Sequence, residues 1–249
     1  GRHRAHDACK EKRIHDRCHG QITLEPLLVR VMDTPEFQRL RGLRQLGGSE
    51  FVYPGATHTR FEHSLGVAHL AGQMVRHLQN LDGGALGVDR RDSTCVKLAG
   101  LVHDLGHGPF SHMFEGFVNR HRARQGRDPF EHEDMSTAIL KMLLRNNDIR
   151  LSDFMDTTED EAEEDLNFVI RLIQGLRPGA VFPDDIGRPP EKRFLFEIVA
   201  NKRNGIDVDK IDYFVRDATS AFGDSQPSIQ VTRLIDSTAV FKDALGEFQ

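Results

Sequence analysis

Residues 60–81, RFEHSLGVAHLAGQMVRHLQNL, carry two apolar stripes rather than one. Phe61, Leu65, Ala68 and Val75 recur at helical spacing along one side; His63, Val67, Leu70 and Met74 recur along another. A helix that is apolar on two sides belongs inside a helical assembly, not on its surface. Residues 93–105 read the same way. Val96, Leu98, Ala99, Leu101, Val102 and Leu105 cover most of that circumference, with Asp92 or Ser93 as cap and Gly106, Gly108 and Pro109 as the stop. Upstream, residues 27–44 predict two short helices divided at Thr34-Pro35, because proline disfavours α geometry in the residue before it. Downstream, helices are expected over 133–145, 166–174, 192–202, 207–218 and 232–245, with Asn204-Gly205 as a left-handed stop. No strand-rich region or internal repeat is evident. The expected fold is all-α, a bundle of irregularly packed helices.

The 249 residues suit one large domain or two small ones. Trp is absent and Tyr occurs twice, so Phe and Leu must carry the packing. A net charge of −5 gives no reason to expect nucleic-acid binding from charge alone. Cys9, Cys18 and Cys95 are odd in number and lack CxxC spacing, which argues against a disulfide scaffold or zinc ribbon and fits a reducing, intracellular setting in nucleus or cytoplasm. No apolar run is long enough to span a membrane, and no signal peptide is visible. The first residue is Gly, so a fragment is expected. Three connections stand out: a Gly-rich one over 81–92, a basic one over 120–127, and residues 152–165, with eight acidic residues among fourteen. The last reads as a solvated loop leading into a helix N-terminus, where negative charge is favourable.

Residues 103–112, HDLGHGPFSH, end the second apolar helix with a histidine and a carboxylate. A buried, unpaired carboxylate is costly, so Asp104 needs a cation or strong donors. His107 follows four residues after His103, and the two glycines permit close backbone approach. His63 lies on an apolar stripe; standing alone it would read as a hydrogen-bonded core histidine. In the half-apolar segment DVDKIDYFVRD (207–217), Asp209, Tyr213 and Asp217 share one helix face. An exposed helix laced with ion pairs is the plainer reading of that segment. Together His63, His103, Asp104 and Asp209 make a mixed N/O donor set suited to Fe, Mn, Zn or Mg.

With its H…HD…D pattern, the chain resembles the HD superfamily of metal-dependent phosphohydrolases. The blocks PEFQRLRGLRQLGGSEFVYPGATHTRFEHS, AGLVHDLGHGPFSHMFEG and IVANKRNGIDVDKIDYFVRD resemble its deoxynucleoside triphosphate triphosphohydrolases, in particular the animal-type enzymes that join a SAM domain to an HD domain. The likeness implies metal ligands at His63, His103, Asp104 and Asp209. It implies active-site histidines at His107, His112 and His132, with His112 as general acid oriented by a nearby carboxylate. It implies phosphate-binding cations at Arg60 and Lys210, and sugar contacts at Gln45, Leu46, Tyr213 and Asp217. An allosteric GTP or dGTP site would use Lys12, Asp33, Gln38 and Arg41, with Arg13 and Arg233 nearby, and would drive assembly into dimers or tetramers. Residues 1–19 are then a basic segment with allosteric contacts, and 20–249 an HD domain incomplete at its C-terminus.

Four departures from the family pattern count. Glu115 stands where the family carries Asp; Arg13, His15 and Gln21 differ around the second nucleotide; Ser237 replaces an aromatic; and the chain stops at Gln249, before a further helical lobe and without a SAM domain. The expectation is a fragment that binds metal, its turnover and assembly left open. The competing readings are another HD phosphohydrolase, acting for instance on (p)ppGpp; a non-catalytic module for nucleotide or single-stranded nucleic acid, using the basic stretch NRHRARQGR; and a regulatory domain without activity.

Overall fold

The structure, a computed structural model, describes residues 10–223 and 229–242. Its element order begins with a hairpin of β1 (Lys12–Asp16) and β2 (Gly20–Leu24), paired antiparallel with Ile14 opposite Ile22. There follow α1 (Pro26–Met32), α2 (Pro35–Gln38), α3 (Arg60–Asn80), α4 (Arg90–Val102), α5 (His112–Arg124) and α6 (His132–Asn146). The remainder is α7 (Ser152–Met155), α8 (Glu159–Gln174), α9 (Phe196–Val199), α10 (Val208–Phe222) and α11 (Val231–Asp236). The all-α expectation holds, with the hairpin as the only sheet among the described residues. That hairpin was not expected, and its turn lies across the boundary drawn at residue 19.

The two-striped helix is the centre of the fold. α3 packs against α4, α9, α10 and α11, and Phe61, His63, Leu65, Val67, Leu70 and Val75 are all buried. α4 lies between α3 and α8 and is buried on nearly every side. The break at Thr34-Pro35 appears as expected: Thr34 Oγ1 donates to Val31 O (2.7 Å) and accepts from Phe37 N (3.4 Å).

Three stretches differ from expectation. The basic residues Arg120, Arg122 and Arg124 belong to α5, which buries no side chain and so shows no core-facing stripe. Most of the acidic stretch is helical: α7 takes its start, and α8 begins at Glu159 behind a Thr158–Glu161 capping box, leaving only residues 156–158 between them. Residues 190–199 form 3-10 turns running into the single turn of α9 rather than one helix over 192–202. The helix expected over 232–245 stops at Asp236, and residues 237–242 are not helical; residues 243–245 and Cys9 lie outside the described residues.

α4 is clamped to α8 by buried charge. Arg188 donates from Nε to Asp92 Oδ1 (3.1 Å) and from Nη1 to Asp165 Oδ1. Both carboxylates are fully buried, and Arg91 and Lys192 complete the cluster. Breaking such a network is far costlier than never building it, because the remaining charges stay buried. Arg188→Ala is expected to lose about 3 kcal/mol, near the lower end for a broken buried pair because Arg91 and Lys192 remain. Urea unfolding would show this as a lower midpoint at unchanged slope. Cys95, beside the cluster, has its thiol pushed up by burial and is no thiolate nucleophile.

Candidate metal centre

Three helix ends converge on one point. Glu62 Oε1 accepts from Thr59 N (3.4 Å) at the start of α3, which sets Arg60 and His63 in its first turn. α4 ends at Val102, and the chain turns through His103, so His107 reaches the site from a tight turn and not from a continued helix. Asp207 caps α10 through its side chain to Lys210 N (2.9 Å), which sets Asp209 in the first turn there. Gly106 lets the turn lie against α6: a Cβ there would run into the backbone of His132 and Ser136. Gly106 N donates to Ser136 Oγ (2.8 Å), which donates to His103 O (2.5 Å).

The imidazoles of His63 and His103 meet edge to face, 5.3 Å between ring centroids and 71° between their planes. His63 Nδ1 donates to Asp212 Oδ2 (2.7 Å), and His103 Nδ1 donates to Gly100 O (2.8 Å). Those bonds leave both Nε2 atoms pointing inward, buried and without a well-aligned hydrogen-bond partner. Asp209 Oδ1 lies 2.9 Å from the first and 3.4 Å from the second. Asp104 adds contacts of 3.5 and 3.4 Å to the same two nitrogens. Nδ1–H fixed by a carboxylate or carbonyl, with Nε2 turned to shared carboxylates, is the donor arrangement of a metal-ligating histidine pair. His63, His103 and Asp209 form a group able to hold a divalent cation, and the orphaned Nε2 atoms show that the residues fit one.

The electrostatics agree. Burial opposes charge on His63, yet the carboxylates of Asp209 and Asp212 beside it outweigh burial and hold the ring pushed up to about 10. Burial likewise opposes charge on His103, and the Asp104 carboxylate raises it. Despite burial, Arg60, His103 and His107 hold Asp104 well below the usual carboxylate range. Asp209 is lowered against burial by the two imidazoles. The pocket concentrates anionic oxygen and favours whatever cation enters it.

A second cluster lies beside the first. His107 stacks on His132 with centroids 4.0 Å apart, and His112 lies 5.2 Å from His107. His107 Nε2 is 3.3 Å from Asp104 Oδ1, and burial lowers the His107 pKa. Glu115 Oε2 lies 3.1 Å from His132 Nδ1 and 3.9 Å from His112 Nδ1. The carboxylate expected beside His112 therefore bonds His132, and His112 stands exposed. Just before α5, Phe110 and Ser111 hold φ of 63° and 54°. Such backbone costs about 1–3 kcal/mol per residue and clusters at sites of function. Ser111 Oγ anchors the turn to Arg44 O and Gln45 O.

The other sequence-derived residues fall into three places. Arg60 is buried at the metal centre, its Nη1 on Asp104 and its Nε 3.3 Å from Ser111 Oγ. Lys210 and Tyr213 are half-buried on α10, the tyrosine pushed up by burial. Gln45 N bonds His58 O (3.1 Å) and Asp217 Oδ1 accepts from His58 Nε2 (2.6 Å), so Gln45 and Asp217 meet at a histidine the sequence does not single out, with Leu46 next in the chain. Gln45 Oε1 is buried without a partner. Lys12 pairs with Asp33 (3.2 Å), Gln38 accepts from Arg41 Nε (2.7 Å), and the Arg41 guanidinium lies 3.5 Å over the Phe61 ring. Arg13 and Arg233 are exposed and join neither pair. A cavity of about 150 Å³ opens beside His103, His132, Lys202, Asp207 and Asp209. Asp212 and Arg216 were also passed over, because charges four apart on a helix read as a surface ion pair.

Residues 60–167 match the HD domain family. Over 83% of its length the chain is 50% identical to deoxynucleoside triphosphate triphosphohydrolase SAMHD1 of Gallus gallus and 49% identical to that of Homo sapiens, covering 33% of each. It is 38% identical over 92% of its length to the SAMHD1 homolog of Dictyostelium discoideum, covering 41% of that protein. The chain thus spans about a third of the length of the animal relatives it matches. Asp209 lies beyond the matched HD segment, and the fold brings it to His63 and His103. Residues 60–167 thus carry an HD domain, in a chain whose relatives are named deoxynucleoside triphosphate triphosphohydrolases.

Proposed function

We propose that the chain is the metal-dependent catalytic core of a phosphohydrolase that cleaves deoxynucleoside triphosphates to deoxynucleoside and inorganic triphosphate. The observation that carries this reading is the convergence of two buried, unpartnered Nε2 atoms on Asp209. His63, His103, Asp104 and Asp209 hold the cation. Bound there, it supplies Lewis acidity to a phosphoryl oxygen and draws the pKa of a water down to about 7.

The rest falls to side chains. Lys210 and Arg60 neutralise the triphosphate, and Arg60 also holds Asp104 in place. His112, exposed at the mouth, gives a proton to the departing 5′-oxygen, a poor leaving group as an alkoxide. Glu115 lies 3.9 Å from His112 Nδ1 but sits closer to His132, whose ring stacks on His107. Leu46 and Tyr213 crowd the 2′ position of the sugar, while Gln45 and Asp217 line its remaining edge. GTP or dGTP at Lys12, Asp33, Gln38 and Arg41, with Arg13 and Arg233 brought in by assembly, regulates a homo-oligomer of the whole protein.

The deciding assay offers dGTP and GTP side by side, with and without Mn²⁺, and measures inorganic triphosphate. Release from dGTP alone, dependent on Mn²⁺, is expected. Equal release from both, or release of orthophosphate, would assign the site to another phosphohydrolase reaction.

A further inference from the structure

His63 cannot orient itself. Its Nδ1–H is held by Asp212, a fully buried carboxylate whose four acceptor positions are all taken. Oδ2 accepts from His63 Nδ1 (2.7 Å) and Arg216 Nε (2.8 Å). Oδ1 accepts from His19 Nε2 (2.6 Å) and Arg216 Nη2 (3.0 Å). His19 belongs to the β1–β2 turn, and that turn is itself tied down. Asp16 Oδ1 accepts from the backbone N–H of Cys18 and of His19, both at 2.9 Å. Asp16 Oδ2 accepts from Arg216 Nη1 (2.9 Å). An unbroken chain of hydrogen bonds therefore runs from two backbone amides of the hairpin turn to the ring of a candidate metal ligand. Every side chain in it is buried or nearly so, where such bonds are stiff and their loss is costly.

We propose that Asp212 and His19 are positioning residues for His63, so that the geometry of the β1–β2 turn and the occupancy of the metal centre are thermodynamically linked. This rests on the metal-centre reading above. If the turn shifts, His19 leaves Asp212 Oδ1 and the carboxylate rotates, and the Nε2 of His63 loses its aim. Linkage is reciprocal: a cation that holds His63 must also hold the turn. Outer-shell partners of metal-ligating histidines are worth roughly 10- to 100-fold in metal affinity.

The experiment is equilibrium Mn²⁺ binding to the whole chain, for the wild type, His19→Ala, His19→Gln and Asp209→Ala. Amide hydrogen exchange at Cys18 and His19 is followed in parallel. Asp212→Ala is avoided as the deciding variant because it strips Arg216 of a buried partner and threatens folding. His19→Ala leaves both ion pairs of Arg216 in place. His19→Ala is expected to weaken Mn²⁺ binding about 10-fold; His19→Gln, whose amide still donates to Asp212, recovers most of it. Mn²⁺ slows exchange at the two turn amides in the wild type and not in Asp209→Ala. A merely structural His19 would lower the melting temperature of both variants with Mn²⁺ affinity unchanged, and that result overturns the proposal. Wild-type Mn²⁺ binding by Asp209→Ala would overturn the metal-centre reading itself, and the proposal with it.

Discussion

Asp209→Ala is expected to yield a folded protein that no longer retains metal and whose hydrolysis falls by roughly 10³-fold or more, the several kcal/mol a catalytic cation supplies. The fold should survive because this side chain is about one-third exposed, at 34%, and caps nothing. The N-cap of α10 is its neighbour Asp207. The metal is lost because Asp209 Oδ1 is the oxygen that approaches both Nε2 atoms. What remains is two imidazoles and Asp104, one of whose oxygens is already engaged by Arg60. Elemental analysis after purification, with a circular-dichroism melt and a triphosphate-release assay, checks all three parts. Metal retained at wild-type stoichiometry would remove Asp209 from the ligand set.

The second large effect is expected at Gly66, in the second turn of α3. A Cβ built there would overlap Asp212 Oδ1 and Arg216 Nη2 and lie 2.7 Å from Asp212 Cγ. Neither polar atom can retreat, since each takes part in two hydrogen bonds and Asp212 and Arg216 are buried. Helix propensity alone would favour alanine over glycine by up to about 1 kcal/mol. Overpacking and a disturbed buried ion pair outweigh that, so Gly66→Ala should lose about 3 kcal/mol net, a fall in Tm of about 6–12 °C. Gly72→Ala in the same helix is the control. Its Cβ would meet only the flexible stem of Lys97, at 3.1 Å, and Tm should change little. Equal melting temperatures for the two variants would show that α3 and α10 tolerate a wider separation than the structure gives them.

Apolar periodicity made α3 and α4 legible, and the same periodicity exposed their polar intruders. His63, His103 and Asp104 could be picked out because a charged or titratable group in an apolar stripe demands a partner. What could not be read was the partner. Asp212 and Arg216 are spaced four apart, as in any surface ion pair, and nothing local says that the hairpin will cover them. α5 escaped because its apolar residues Met113 and Phe117 face solvent, leaving no stripe to count. The start of α8 was readable in principle: Thr158 and Glu161 have capping-box spacing, but the density of acidic residues argued for a loop. The hairpin too left a trace in the alternation of exposed Gln21 and Thr23 with buried Ile22 and Leu24, too short to outweigh its charged neighbours. Around Asp217, the family likeness named the carboxylate, and only the fold showed that His58 holds it.

The bond between Asp16 and Arg216 spans 200 positions of the chain. At ordinary rates of synthesis a ribosome emits the second residue roughly 10–40 s after the first. Until Arg216 emerges, the hairpin and, once made, the His103-Asp104 dipeptide have nothing with which to join. On the metal-centre reading, the full set of donors exists only once Asp209 has followed His63 and His103 out of the ribosome.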